Sequence, residues 1–169
     1  MGRPLSFPTG TTIYDPEKCF SGYTVFSHMQ EGVILIDMNG KPVHVWRGLD
    51  GFPAKMLPGG RVTASRGIRN PTISYQDQMD LVTCRWDGTV EWEFDHKGFC
   101  EEIEPRFMAR EHHDYQRYGE PLYYVPGATY GNQPVKTLIL THQDVRKKKI
   151  SHQLLVDDVL IEVDNNNNI

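Results

Sequence analysis

The chain has 169 residues, 38% of them hydrophobic and 24% charged, with a formal net charge of −4 at pH 7. That length holds one domain with its own core, and the acidic balance excludes a basic nucleic-acid surface. No apolar stretch approaches the ~20 residues of a membrane span, and residues 1–8 lack the apolar centre of a signal peptide.

In chain order the pattern is of short strands. Candidates fall at 11–14, 22–28, 32–37, 41–46, 60–64, 79–86, 89–94, 121–125, 136–142 and 157–163. Turn residues separate them, as in Leu57-Pro58-Gly59-Gly60 and Pro126-Gly127. No window of a dozen residues keeps helical apolar spacing without a Gly or Pro. One hairpin signature occurs twice in full. Ile34-Leu35-Ile36-Asp37-Met38-Asn39-Gly40 leads into Lys41-Pro42-Val43-His44-Val45-Trp46, and Val82-Thr83-Cys84-Arg85-Trp86-Asp87-Gly88 into Thr89-Val90-Glu91-Trp92-Glu93-Phe94. Asn-Gly and Asp-Gly between β-forming runs predict type I′ turns, since both residues tolerate positive φ.

Superposing Gly40 on Gly88 aligns Pro42/Val90, His44/Trp92 and Trp46/Phe94 after the turn, with Ile36/Cys84 and Ile34/Val82 before it. Period-2 alternation therefore marks one buried face, and His44 and Trp92 are read as core residues. A third copy begins at Leu160-Ile161-Glu162-Val163-Asp164. With Asn167 at the glycine position, Ile161, Val163 and Ile169 share that face. The spacing from Gly40 to Gly88 suits a four-stranded unit and falls in the range of propeller blades.

The fold expected is all-β: a β-propeller-type array of antiparallel four-stranded blades in a single domain over 1–169. Blade-like units lie at about 20–50, 51–98 and 105–169. The third carries an insertion within 110–135 or 143–156 and stops before its outer strand. An array left open exposes strand edges, so self-association or a complementary propeller chain is the expected partnership.

Cys19, Cys84 and Cys100 are odd in number and unpatterned, which favours free thiols in a reducing compartment over a disulfide framework. A cytoplasmic location is the expectation. Arg146-Lys147-Lys148-Lys149 reads as a solvated loop. Neither a Gly-rich phosphate loop nor a Gly-x-Ser-x-Gly elbow is present. The histidines lack zinc-type spacing such as His-x-x-x-His, so no metal and no cofactor is expected.

The strongest chemical candidates are His112 and His113. Neighbours on a strand point to opposite faces, so one of the two lines a site while the other does not. A neutral imidazole donates a hydrogen bond to an oxyanion or takes a proton near neutral pH. Asp114 would orient the adjacent ring, Arg117 would pair with an anionic ester, and His142 at a strand end is a pocket residue. Tyr123 and Tyr124 offer stacking surfaces.

Some of these segments resemble a known family. Thr11-Thr12-Ile13-Tyr14-Asp15-Pro16-Glu17-Lys18, with Gly22-Tyr23-Thr24-Val25-Phe26, is similar to the N-terminal entry of the arylsulfotransferase-type β-propellers, the 3′-phosphoadenylyl-sulfate-independent arylsulfate sulfotransferases. The two hairpins, the Pro53-Ala54-Lys55-Met56-Leu57-Pro58-Gly59-Gly60 turn and His112-His113-Asp114-Tyr115-Gln116-Arg117 resemble that family's blades and inner-strand His-His-Asp element. The resemblance implies a six-bladed propeller. It also implies transfer of a sulfuryl group from a phenolic sulfate ester to a phenol through a sulfated histidine, with that nucleophile in a later blade than any present here. A non-catalytic propeller binding module, or a truncated fragment, is the alternative reading.

Overall fold

The computed structural model describes residues 11–28, 30–49, 51, 53–67, 77–95, 109–118, 127 and 136–169. Among them are ten strands, every pairing antiparallel, and no helix long and apolar enough to cross a membrane. The first sheet is β1 (Thr24–His28), β2 (Gly32–Ile36) and β3 (Pro42–Trp46) in sequential order. β4 (Lys55–Leu57), β5 (Arg61–Ala64), β6 (Leu81–Cys84) and β7 (Val90–Phe94) make a four-stranded second sheet. The third is β8 (Glu111–Arg117), β9 (Lys136–Val145) and β10 (Leu155–Asp164). Each sheet is thus a meander that follows the chain, and the all-β expectation holds.

Both repeated hairpins form, with a different turn from the one the dipeptides predict. Gly40 N–H donates to Asp37 O and Gly88 N–H to Arg85 O, each at 3.0 Å. Of the central residues only the glycines take positive φ, 77° and 85°. This is a three-residue loop, a type I turn closed by a left-handed glycine, and the ladder shifts register beside it at Leu35/Ile36 and Thr83/Cys84. In the first hairpin the reason is the aspartate. Asp37 Oδ1 accepts from the N–H groups of Asn39 and Lys41 at 2.9 Å, which holds the right-handed conformation before the glycine.

The asparagine tract folds the same way. Asp164 N–H donates to Asn168 O at 3.0 Å, as Asp37 N–H does to Lys41 O, and Asn167 takes φ 64° in the place of Gly40. Ile161 and Val163 fall on the buried face as the register requires, whereas Ile169 is 59% exposed. Of the other expected strands, 11–14 is turn and coil, and 121–125 lies outside the described residues. In the third unit β9 and β10 are simply long and pair over their full length, so 143–156 holds strand ends and an exposed turn at 146–149.

Two apolar clusters join the sheets. Val33, Leu35 and Trp46 pack with Val62, Ala64, Val82 and Cys84 between the first and second sheets. Leu81, Trp92 and Phe94 meet Tyr115, Ile139, Ile161 and Val163 between the second and third. Polar ties cross the same seams. Trp46 Nε1–H donates to Arg85 O at 2.9 Å, and Asn167 Nδ2 donates to Glu93 O at 2.8 Å. Tyr115 Oη lies 2.8 Å from Pro53 O and 2.6 Å from Thr63 O, fully buried, and burial holds its pKa well above the usual tyrosine value. Tyr115→Phe is therefore expected to cost about 1–3 kcal/mol, because the two buried carbonyls lose their donor. The measurement is a lower urea midpoint at unchanged slope. An unchanged midpoint would refute this role for the hydroxyl.

Candidate functional site

β8 begins in a run of five polar residues, Arg110 to Asp114, and its pairing with β9 is broken between Glu111 and Tyr115. His113 has φ 61° at this irregularity and is exposed. Two extra residues on β8 interrupt alternation, so that Glu111 and His112 are both buried although adjacent. His112 lies inward and His113 outward, but at a bulge and not on a regularly alternating strand.

His112 does not sit alone. Its ring stacks on that of His142, with centroids 3.8 Å apart and planes 20° from parallel. His142 ends the apolar run of β9, and Asp158 is its direct cross-strand partner on β10. Asp158 Oδ1 lies 3.2 Å from His142 Nε2 and 3.4 Å from His112 Nε2. On the inner side Asp77 Oδ1 bonds His142 Nδ1. Asp77 Oδ2 accepts from Arg110 Nε at 2.6 Å, and Arg110 Nη1 reaches Asp144 Oδ1 at 2.9 Å. Arg110, Asp77 and Asp144 are all buried at their side chains. The loop bearing Asp77 is held by backbone bonds: Gln78 N–H donates to Glu111 O at 2.8 Å and Arg110 N–H to Gln78 O at 2.9 Å.

The Asp77–His142 bond assigns the proton. A carboxylate accepts, so His142 turns an Nδ1–H toward Asp77, while its Nε2 faces Asp158. Desolvation, with the neighbouring His142 second, lowers the His112 pKa, and this ring is neutral near pH 7. Its Nδ1 lies 2.8 Å from His113 Nδ1. Glu111 is a further buried acid. Burial, reinforced by the carboxylates of Asp80 and Asp114, pushes its pKa up to about 9.

The remaining sequence candidates lie elsewhere. Asp114 is exposed and pairs with Lys55 Nζ at 2.5 Å. Arg117 is buried at the far end of β8, its guanidinium 4.4 Å above the Trp92 ring and bonded to Thr137 Oγ1 at 3.1 Å. Neither is brought to the histidines. Tyr123, Tyr124, His96 and Cys100 lie outside the described residues. His44 is half-buried and stacks on Trp86, centroids 4.0 Å apart. Asp77, Arg110, Asp144 and Asp158 were not legible as site residues, since cross-strand register and a long loop bring them together.

The molecule is thus an all-β protein of meander sheets with a histidine–carboxylate cluster at one end of the third. Known protein families, curated proteins and solved structures offer no match to the chain.

Proposed function

We propose that this protein is arylsulfotransferase-like, moving a sulfuryl group from a phenolic sulfate ester to a phenol, its sheets being successive blades of a propeller-type array. The observation that carries the reading is the Asp77–His142 pair, which holds that ring by its Nδ1 and aims its Nε2 outward beside a buried neutral imidazole. His142 takes the proton of the acceptor phenol as that oxygen bonds to sulfur. The sulfuryl group leaves its carrier with the electron pair of the broken bond remaining on the carrier. His112, in the tautomer with hydrogen on Nε2, donates to a sulfuryl oxygen. Asp158 turns aside to admit the anion, which its 70% exposed side chain permits.

The test is transfer from a chromogenic aryl sulfate to a phenol. His142→Ala is expected to lower the rate by roughly 10²–10⁴, the usual contribution of a general base. His28→Ala, on exposed β1, leaves the rate unchanged. Absence of transfer, by this chain alone and when it is supplied with further blades of such a propeller, would overturn the reading.

A second reading, a module that binds an aromatic ligand without turning it over, has its own observation. A cleft of about 520 Å³ is lined by His44, Trp46, Trp86, Arg47 and Arg66. Phenol quenching of tryptophan fluorescence, lost in Trp86→Ala and unaccompanied by transfer, would select that reading.

A further inference from the structure

The outer side of the histidine cluster has the chemistry of a cation site. Three side-chain donors, His112 Nε2, His142 Nε2 and Asp158 Oδ1, come from three adjacent strands and lie within 4.8 Å of one another. A zinc ion bonded at about 2.0–2.1 Å to tetrahedral ligands sets those ligands roughly 3.3 Å apart. The two carboxylate-to-imidazole separations here are 3.2 and 3.4 Å. His112 Nε2 supplies a second observation. It is buried, points at this spot and has no hydrogen-bond partner among the described residues. An orphaned buried nitrogen is costly unless something occupies it.

The surroundings agree in charge and orientation. Asp77, Asp144 and Asp158 place three carboxylates in the cluster beside the guanidinium of Arg110, a set of groups that favours a cation. Asp77 holds His142 by Nδ1, the carboxylate–histidine arrangement that fixes a ligand ring and raises its basicity. His113 Nδ1 stands in hydrogen-bond range of His112 Nδ1 and can do the same. Two imidazoles with one carboxylate suit zinc and its first-row neighbours, and suit calcium or magnesium poorly.

We propose that His112, His142 and Asp158 bind a divalent transition metal ion, with a fourth position open to water. The stacked rings direct their lone pairs nearly parallel, so the ion opens the stack as it enters. This site does not rest on the transfer reading. The ion takes the same two Nε2 positions that transfer needs, with His112 in its other tautomer, and the two occupants exclude each other.

The experiment uses the whole untagged chain, stripped with chelator and titrated with Zn²⁺ by calorimetry and with Co²⁺ by visible absorption. One equivalent of saturable binding with the intense visible bands of tetrahedral cobalt is expected. Asp77→Asn should weaken it about 10–100-fold. His142→Asn and Asp158→Asn, each removing a ligand, should weaken it further. Asp158 is exposed, so its variant tests the site without threatening the fold. Absence of saturable binding, or binding indifferent to both the His142 and Asp158 variants, would overturn the proposal. Metal affinity is read without any activity, so its failure and failure of the transfer assay are separate results.

Discussion

Arg110→Ala is expected to lower the protein's stability by about 3–5 kcal/mol. A small domain has roughly 5–15 kcal/mol in total. The guanidinium is fully buried and is shared between Asp77 and Asp144, whose side chains are only 3% and 4% exposed. Deleting it leaves two carboxylates facing each other in a medium of low polarity with no cation between them. The cost arises from those stranded charges rather than from the lost attraction. A further variant separates the two ideas. Combining Arg110→Met with Asp77→Asn and Asp144→Asn removes cation and anions together, and should recover much of the loss. Guanidinium-induced unfolding of the three proteins measures both effects. A loss below about 1 kcal/mol in Arg110→Ala would place the pair among ordinary surface bridges.

Stability should also fall as pH rises, through Glu111. Its carboxyl oxygens are buried and have no hydrogen-bond partner among the described residues, and its pKa is pushed from 4.5 to about 9. Between those values the folded chain keeps a proton that the unfolded chain has released. The sign is therefore negative: stability is greatest below the unfolded pKa and declines as pH climbs toward the folded one, by up to ~1.4 kcal/mol per pH unit. Glu111→Gln replaces the neutral acid with a neutral amide of similar shape and abolishes this dependence. The difference in unfolding free energy between variant and parent isolates the one group. It should grow steadily in favour of glutamine from about pH 5 to pH 8. A difference that does not change with pH would show that Glu111 titrates normally in the fold.

The sheets were readable in the sequence because their signals are local. Alternation with period 2 and an aspartate three residues before Gly40 carry the first hairpin, and the same spacing in Asp164 and Asn167 carries the third. What failed were inferences about competing local preferences. Residues 11–14 have β-forming side chains but no partner strand. The Arg110 to Asp114 run shows no apolar alternation and is missing from the strand candidates, yet backbone bonds to Gln78 and pairing with Thr141 make the strand that the His-His pair suggested. His112 and His142 were recognisable as candidates one at a time. Their contact was not, because it depends on which residue of β8 lies beside which residue of β9, and on a bulge that re-aims His112. Arg117 misled for the opposite reason. A cationic side chain close in sequence to a histidine pair reads as the partner of an anionic ester, whereas here it lies on Trp92 inside the sheet seam.

The connection of Asp77 to His142 and Arg110 has a consequence for the order in which the molecule assembles. Each sheet is a meander whose strands can pair soon after they are made, since neighbours in sequence are neighbours in space. The polar cluster has no such shortcut. It needs the loop before β6, the entry to β8 and the middle of the β9–β10 hairpin in one place at once. It therefore forms only when the second and third sheets have docked, late in folding, and is absent from any partly assembled state. Whatever occupies the cluster is then a clamp on that junction. Its binding raises resistance to proteolysis across the seam in proportion to the logarithm of its concentration above its dissociation constant, even though it touches only a few side chains at one end.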